Sequence, residues 1–180
     1  MRGLSCILFL TAIALFAQDP PAGDAPGSLA PYLPTPDSIV DQMLKAGQLK
    51  AGETMFDLGS GDGRIVIAAA GKYKANAIGV ELDDALAASS TERIAELGLK
   101  NARIIRGDLM QQDYSSADLI TVYLWPGANE KVSRLLEIQL KKGARVVSHD
   151  FEMGAWKPTQ TIVVPDDGTG RSHMLFVYIR

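Results

Sequence analysis

Three glycines at every second position, Gly59, Gly61 and Gly63, constrain this chain more than any other feature. They follow a short apolar run that contains Asp57 and precede an Ala-rich apolar run, Ile65-Val66-Ile67-Ala68-Ala69-Ala70. That order reads as a strand, a tight turn and the start of a helix. Glycine permits positive φ and lets backbone approach a ligand where a Cβ would collide. The helix start adds free N–H groups and a partial positive charge. In open α/β sheets such a turn at the end of the first strand is where nucleotide-like ligands bind.

The rest of the chain follows the same rhythm. Strands are predicted at 54–58, 77–81, 102–106, 119–123 and 145–148. Helices are predicted at 63–73, 84–97 and 129–140. The apolar positions Ile65, Ile67 and Ala68 to Ala70 of the first of these are expected on the sheet, and Val132, Leu135, Leu136 and Leu140 of the last share a face. A preceding helix is predicted from the spacing of Ile39, Val40, Met43 and Leu44, with Thr35 or Asp37 as its cap and Gly47 at its end. Two β-branched and aromatic runs, 159–164 and 174–179, flank Pro165-Asp166-Asp167-Gly168-Thr169-Gly170, a hairpin signal. Alternating strands and helices imply a parallel sheet with helices on both faces, here closed by an antiparallel pair.

Length and composition bound the function. The chain has 180 residues, enough for one domain with a real core, and 47% hydrophobic against 22% charged residues excludes wholesale disorder. The net charge of −3 supplies no basic surplus to bind a phosphate backbone, so nucleic acid is disfavoured as a partner. Cys6 is the single cysteine, and the two histidines, His149 and His173, lie far apart in sequence, so no metal site is expected.

The N-terminus carries its own signals. Arg2 followed by an uncharged apolar stretch, 3–16, with Leu15-Phe16-Ala17 before Gln18, reads as a signal peptide over 1–17 or an uncleaved anchor. The apolar stretch is too short for a comfortable membrane span. Residues 18–31 are rich in Pro, Gly and Ala and read as a linker, which leaves 32–180 as the folded domain. Export to the periplasm or exterior, or anchoring to a membrane, is the expected address, with a cytoplasmic one if the leader does not function. A monomer is expected.

The ligand follows from the acids. A dinucleotide turn wants Gly-x-Gly-x-x-Gly; here the spacing is Gly-x-Gly-x-Gly with Asp57 before it. An acid at that strand end repels a pyrophosphate and attracts a cation such as the ammonium of S-adenosylmethionine. Glu81 ends the second strand, where its carboxylate can accept both hydroxyls of a ribose. Asp108 follows the third strand and can accept from an adenine amino group. Any one of these acids alone reads as a solvated strand end. The three together, around Gly59, Ser60, Gly61 and Gly63, form a specific constellation that chance strand ends do not explain.

At these residues the chain resembles the class I S-adenosylmethionine-dependent methyltransferases. The resemblance implies a Rossmann-like seven-stranded α/β sheet whose last strand is antiparallel. Pro31-Tyr32-Leu33-Pro34-Thr35-Pro36, the Asp57 to Arg64 turn, Gly79-Val80-Glu81-Leu82, Tyr123-Leu124 and Val146-Val147-Ser148-His149-Asp150-Phe151 are similar to a narrower group. These are the small lysine methyltransferases that modify the mitochondrial ATP synthase c-subunit and adenine nucleotide carrier, with their archaeal and bacterial relatives. The first two segments also resemble histone-lysine methyltransferases that lack a SET domain. That likeness implies that Tyr32 and Thr35 touch the cofactor; the plain alternative is a stiff, packed lead-in. Tyr123-Leu124-Trp125-Pro126 stands where enzymes methylating DNA or glutamine amino groups carry Asp/Asn-Pro-Pro-aromatic, which argues against those substrates.

The expected activity is therefore methyl transfer to a protein lysine. Tyr123 and Trp125 are the candidates for an aromatic slot that holds the amine by cation–π attraction. For Trp125, packing under the following helix is the favoured reading. His149 and Asp150 line the acceptor side, His149 as a structural or hydrogen-bonded group rather than the base. The rival readings are a methyltransferase on a small or lipid-linked acceptor and a non-catalytic S-adenosylmethionine-binding module. The exported address gives the binding module weight as an alternative, because the cofactor is made in the cytosol.

Overall fold

The computed structural model describes residues 32–180; the expected leader and linker at 1–31 lie outside them. Seven strands form one sheet: β1 (Thr54–Leu58), β2 (Asn76–Glu81), β3 (Ala102–Arg106), β4 (Leu119–Val122), β5 (Arg145–His149), β6 (Gln160–Val164) and β7 (His173–Ile179). Their order is β3-β2-β1-β4-β5-β7-β6. The first five are mutually parallel; β7 runs antiparallel to β5, and β6 antiparallel to β7. The direction of winding reverses between β1 and β4, and the carboxyl ends of those strands are where such sheets bind ligands.

Four helices cover the sheet: α1 (Asp37–Ala46), α2 (Arg64–Gly71), α3 (Asp84–Glu96) and α4 (Pro126–Gln139). Residues two apart on a strand share a face. Met55, Ala77, Leu119, Val147 and Leu175 meet α1, α2 and Ile94 of α3 in one core. Phe56, Ile78, Ile120, Val146 and Phe176 meet Val132 and Leu136 of α4 in the other. Ile39, Val40, Met43 and Leu44, the predicted face of α1, are all buried. Each contributes about 1.5–3 kcal/mol in removing its side chain from water.

Local boundaries differ from the sequence reading for physical reasons. Helix α2 buries Ile65, Val66, Ala69 and Ala70, while Ile67 and Ala68 are only partly covered. Helix α4 starts three residues earlier than expected, with Pro126 in its first turn, where the missing N–H would have had no partner anyway. Neither Thr35 nor Asp37 caps α1; Pro36 is the cap, without a side-chain hydrogen bond. Among the described residues no helix is long and apolar enough to cross a membrane.

Candidate active site

The glycine turn joins β1 to α2. Gly59, Gly61 and Gly63 all take positive φ, at 75°, 53° and 74°. Gly63 is the N-cap of α2, and its left-handed conformation explains why the helix begins at Arg64. Gly59 N–H and Ser60 N–H both donate to Val80 O, which ties the turn to β2.

The acids at the strand ends are positioned by backbone and neighbours. Asp57 lies opposite Thr121 in the β1–β4 register, and the Thr121 hydroxyl donates to Asp57 Oδ1 at 2.7 Å. Both residues are buried. Burial raises the Asp57 carboxyl to about 7; the Thr121 hydrogen bond opposes this, and the charges of Glu81 and Asp62 add to it. Asp57 is thus poised between forms and gains its full charge readily beside a cation. Glu81 spans the site. Its Oε2 accepts from Gly61 N–H at 2.7 Å and its Oε1 from Asp83 N–H at 2.9 Å. An ionised carboxylate offers about four lone-pair sites, so two remain for further donors. Asp108 follows β3 and caps a single 3-10 turn, Leu109–Gln111, accepting from Met110 N–H at 2.8 Å and Gln111 Nε2 at 3.2 Å.

The N-terminal segment closes on the turn. The Tyr32 ring lies against Gly61: a Cβ there would come within 2.5 Å of Tyr32 Cε2. Burial and the nearby Asp62 raise the Tyr32 hydroxyl above its usual range, so it stays protonated. Arg64, first residue of α2, holds this arrangement. Its Nη1 donates to Thr35 O at 2.8 Å while Nε and Nη2 grip the Asp62 carboxylate. Arg64 and Thr121 were given no role by sequence reasoning. The signal for Thr121 was a polar residue inside the apolar run Leu119-Ile120-Thr121-Val122.

The acceptor side lies at the ends of β4 and β5. Tyr123 lies against His149 with ring centroids 3.9 Å apart and planes tilted by 37°, and lies near parallel to Phe151 at 6.3 Å. Burial and Asp150 raise the Tyr123 hydroxyl, so it presents a neutral ring and not a phenolate. Trp125 corrects the sequence reading. It is not packed under α4 but is 58% exposed, at the N-cap position of that helix. His149 is fully buried and hydrogen-bonded, and burial lowers its imidazole to about 4. Sequence separation misled in one respect: β5–β7 pairing brings His173 Nδ1 to 2.9 Å from His149 Nε2.

The residues present fit S-adenosylmethionine. The turn supplies close backbone approach, and Ser60 Oγ is buried there without a hydrogen-bond partner. A buried orphan hydroxyl is costly unless a ligand satisfies it. Asp57, Glu81 and Asp108 stand at three successive strand ends on the same sheet edge.

Comparison with known proteins agrees. The chain matches the family described as "ANTKMT methyltransferase domain" over residues 57–160. A protein-lysine N-methyltransferase of Saccharolobus islandicus (strain REY15A) is 36% identical over 151 residues, covering 83% of this chain and 92% of that protein. The ATP synthase c-subunit lysine N-methyltransferase of Rattus norvegicus is 33% identical over 132 residues, which are 73% of this chain but only 60% of that longer protein. Among solved structures, an RNA methyltransferase from Salinibacter ruber in complex with S-adenosyl-L-homocysteine superposes with a TM-score of 0.75 at 37% identity. That superposition covers 82% of this chain and 93% of the other. TrmN from Thermus thermophilus, 18% identical with a TM-score of 0.68, shares the fold. The glycine turn, the three acids and these matches converge: the chain belongs to the ANTKMT methyltransferase domain family and is an S-adenosylmethionine-dependent methyltransferase.

Proposed function

We propose that this methyltransferase acts on the side-chain amine of a protein lysine. The observation that carries the reading is the similarity to the Saccharolobus islandicus protein-lysine N-methyltransferase, which extends over 92% of that protein's length. The Tyr123 ring, held against His149 at the carboxyl end of the sheet, supports it, because a neutral aromatic face suits an amine. An RNA acceptor is the second reading, favoured by the name of the Salinibacter ruber relative; the net charge of −3 opposes it.

In this reading Glu81 binds the ribose hydroxyls, Asp108 the adenine edge and Asp57 the cationic end. Ser60 Oγ takes the hydrogen bond it lacks, and Tyr32 and Thr35 cover the methionine end. The cofactor supplies a methyl group on a sulfonium, an electrophile that needs no further activation. The chain's task is to align the acceptor nitrogen and exclude water. Tyr123, neutral at physiological pH, lines the slot through its ring. A lysine must lose its proton before it can attack, and a nearby carboxylate or a water path would accept it.

The export or anchoring reading rests on residues 1–17, and supports an acceptor outside the cytosol or at a membrane. Sequencing the mature N-terminus from fractionated cells tests it: an intact Met1 on a cytosolic protein contradicts it. The substrate class is tested by incubating the chain with methyl-labelled cofactor and lysate, then separating protein, RNA and small molecules. Label in protein is expected. Label confined to RNA or to small molecules contradicts the lysine reading, and cofactor binding without any label makes the chain a binding module.

A further inference from the structure

Beside the acceptor pocket, three ligand atoms converge that methyl transfer does not require. His149 Nε2 lies 2.9 Å from His173 Nδ1, His173 Nδ1 lies 2.9 Å from Asp150 Oδ2, and His149 Nε2 lies 3.4 Å from Asp150 Oδ2. The two imidazoles are buried, and Asp150 is partly so. Pairing of β7 against β5 produces the cluster, since Asp150 N–H donates to Met174 O and Asp150 Oδ1 accepts from Met174 N–H at 2.9 Å. That leaves Oδ2 alone to face the histidines. Asp150 pays for this position with a left-handed backbone, φ 59°.

The outer ring nitrogens are engaged elsewhere. His173 Nε2 faces Asp167 Oδ2 at 3.3 Å, so the ring stands between two carboxylates. His149 Nδ1 faces Thr35 Oγ1 at 3.4 Å. With His173 protonated on Nε2, its Nδ1 lone pair points at the Asp150 oxygen and at His149 Nε2. A proton on His149 Nε2 serves only one of those contacts. In that tautomer of His173 the Nδ1 lone pair and the Asp150 oxygen stand against each other at 2.9 Å, and a cation between them removes the repulsion; with the proton on Nδ1 the same contact is a hydrogen bond. An outer carboxylate on one imidazole, with the inner nitrogens directed at a common point, is the arrangement of metal-binding histidines. Zinc bonds of 2.0–2.1 Å in a tetrahedron separate ligand atoms by roughly 3.3 Å; the His149–Asp150 pair already stands at 3.4 Å, and the two 2.9 Å contacts of His173 Nδ1 must open by a few tenths of an ångström to admit the ion.

We propose that His149 Nε2, His173 Nδ1 and Asp150 Oδ2 bind one zinc-class divalent ion, with Asp167 orienting His173. Three protein ligands leave a fourth position for water. The ion ties the end of β5 to the start of β7, and through His149 it stands against Tyr123 and Thr35. The alternative occupant of the same point is a proton, which makes His173 an imidazolium between Asp150 and Asp167.

The test uses the untagged full-length chain, stripped with chelator and titrated with zinc by calorimetry and with cobalt by visible absorption. One ion per chain is expected, with the d–d bands of four-coordinate cobalt. The melting temperature should rise by roughly 5–10 °C at a hundredfold excess over Kd. Asp150→Asn and His173→Asn should abolish binding, and Asp167→Asn, which removes no ligand, should weaken it about 10–100-fold. Retained S-adenosylhomocysteine binding shows that each variant is folded. Should the ligand variants fail to fold, the wild-type stoichiometry and the Asp167→Asn affinity decide. No ion bound by wild-type chain that binds S-adenosylhomocysteine, or binding unchanged by Asp167→Asn, overturns the site and leaves the imidazolium.

Discussion

Tyr32 covers Gly61 so closely that a single added methyl group would meet its ring at 2.5 Å. The contact joins the segment before α1 to the centre of the glycine turn, and Arg64 fastens the same segment through Thr35 O. Gly61→Ala must therefore do two things. It strains a residue at φ 53°, at about 1 kcal/mol, and it displaces Tyr32. Calorimetry with S-adenosylhomocysteine should show at least about tenfold weaker binding, roughly 1.4 kcal/mol or more. Unchanged affinity would remove Tyr32 and this turn from the cofactor surface.

Glu81 carries two loads at once, since its oxygens satisfy Gly61 N–H and Asp83 N–H. Glu81→Ala leaves the buried Gly61 N–H and the partly buried Asp83 N–H without their acceptors, at about 1–3 kcal/mol for a donor that water cannot reach. Both the melting temperature and cofactor affinity should fall. Glu81→Gln keeps one acceptor and should fall between. A Glu81→Ala chain with wild-type cofactor affinity would show that the carboxylate only braces the turn.

Asp57 gives the site a pH signature. Its folded value of about 7 lies above its ordinary 3.8. Between those values the folded chain holds a proton that the unfolded chain has lost, so stability falls as pH rises from about 4 to 7. The ceiling on that loss is about 4 kcal/mol. Asp57→Asn should flatten this part of the stability profile when urea unfolding is compared at pH 5 and pH 8. Cofactor affinity should run the opposite way, tightening with pH through about 7 in wild type, because a cation favours the ionised acid. If Asp57→Asn leaves both profiles unaltered, the buried acid is not the titrating group.

Tyr123 separates binding from turnover. Its ring is held by His149 and Phe151, away from the Gly59 to Gly63 turn in sequence and on a different strand end. Tyr123→Ala should abolish methyl transfer while S-adenosylhomocysteine still binds, and Tyr123→Phe should retain much of the rate. Equal loss of binding and turnover in Tyr123→Ala would make the ring a packing residue.

Much of the fold was legible because it rests on local chemistry. Short apolar runs marked the strands, and the Gly59-x-Gly61-x-Gly63 spacing marked the turn. Gly168 and Gly170, with the runs beside them, marked the closing hairpin. What was not legible depends on contacts across the sheet. Thr121 meets Asp57 from 64 residues away, and Arg64 reaches back 29 residues to Thr35 O. His149 and His173 looked unrelated in sequence until the antiparallel pairing of β5 with β7 placed them in contact. Trp125 was misassigned because its burial depends on where α4 begins, and Pro126 moves that start forward.

The identity of the methylated residue tests the function most directly. Purified chain, methyl-labelled S-adenosylmethionine and a protein extract are incubated, and the labelled protein is hydrolysed to amino acids, with Tyr123→Ala as the inactive control. Label eluting with methylated lysine, and absent from the Tyr123→Ala reaction, is the expected result. Label recovered only in methylated nucleosides of co-extracted RNA, with none on lysine, would contradict it.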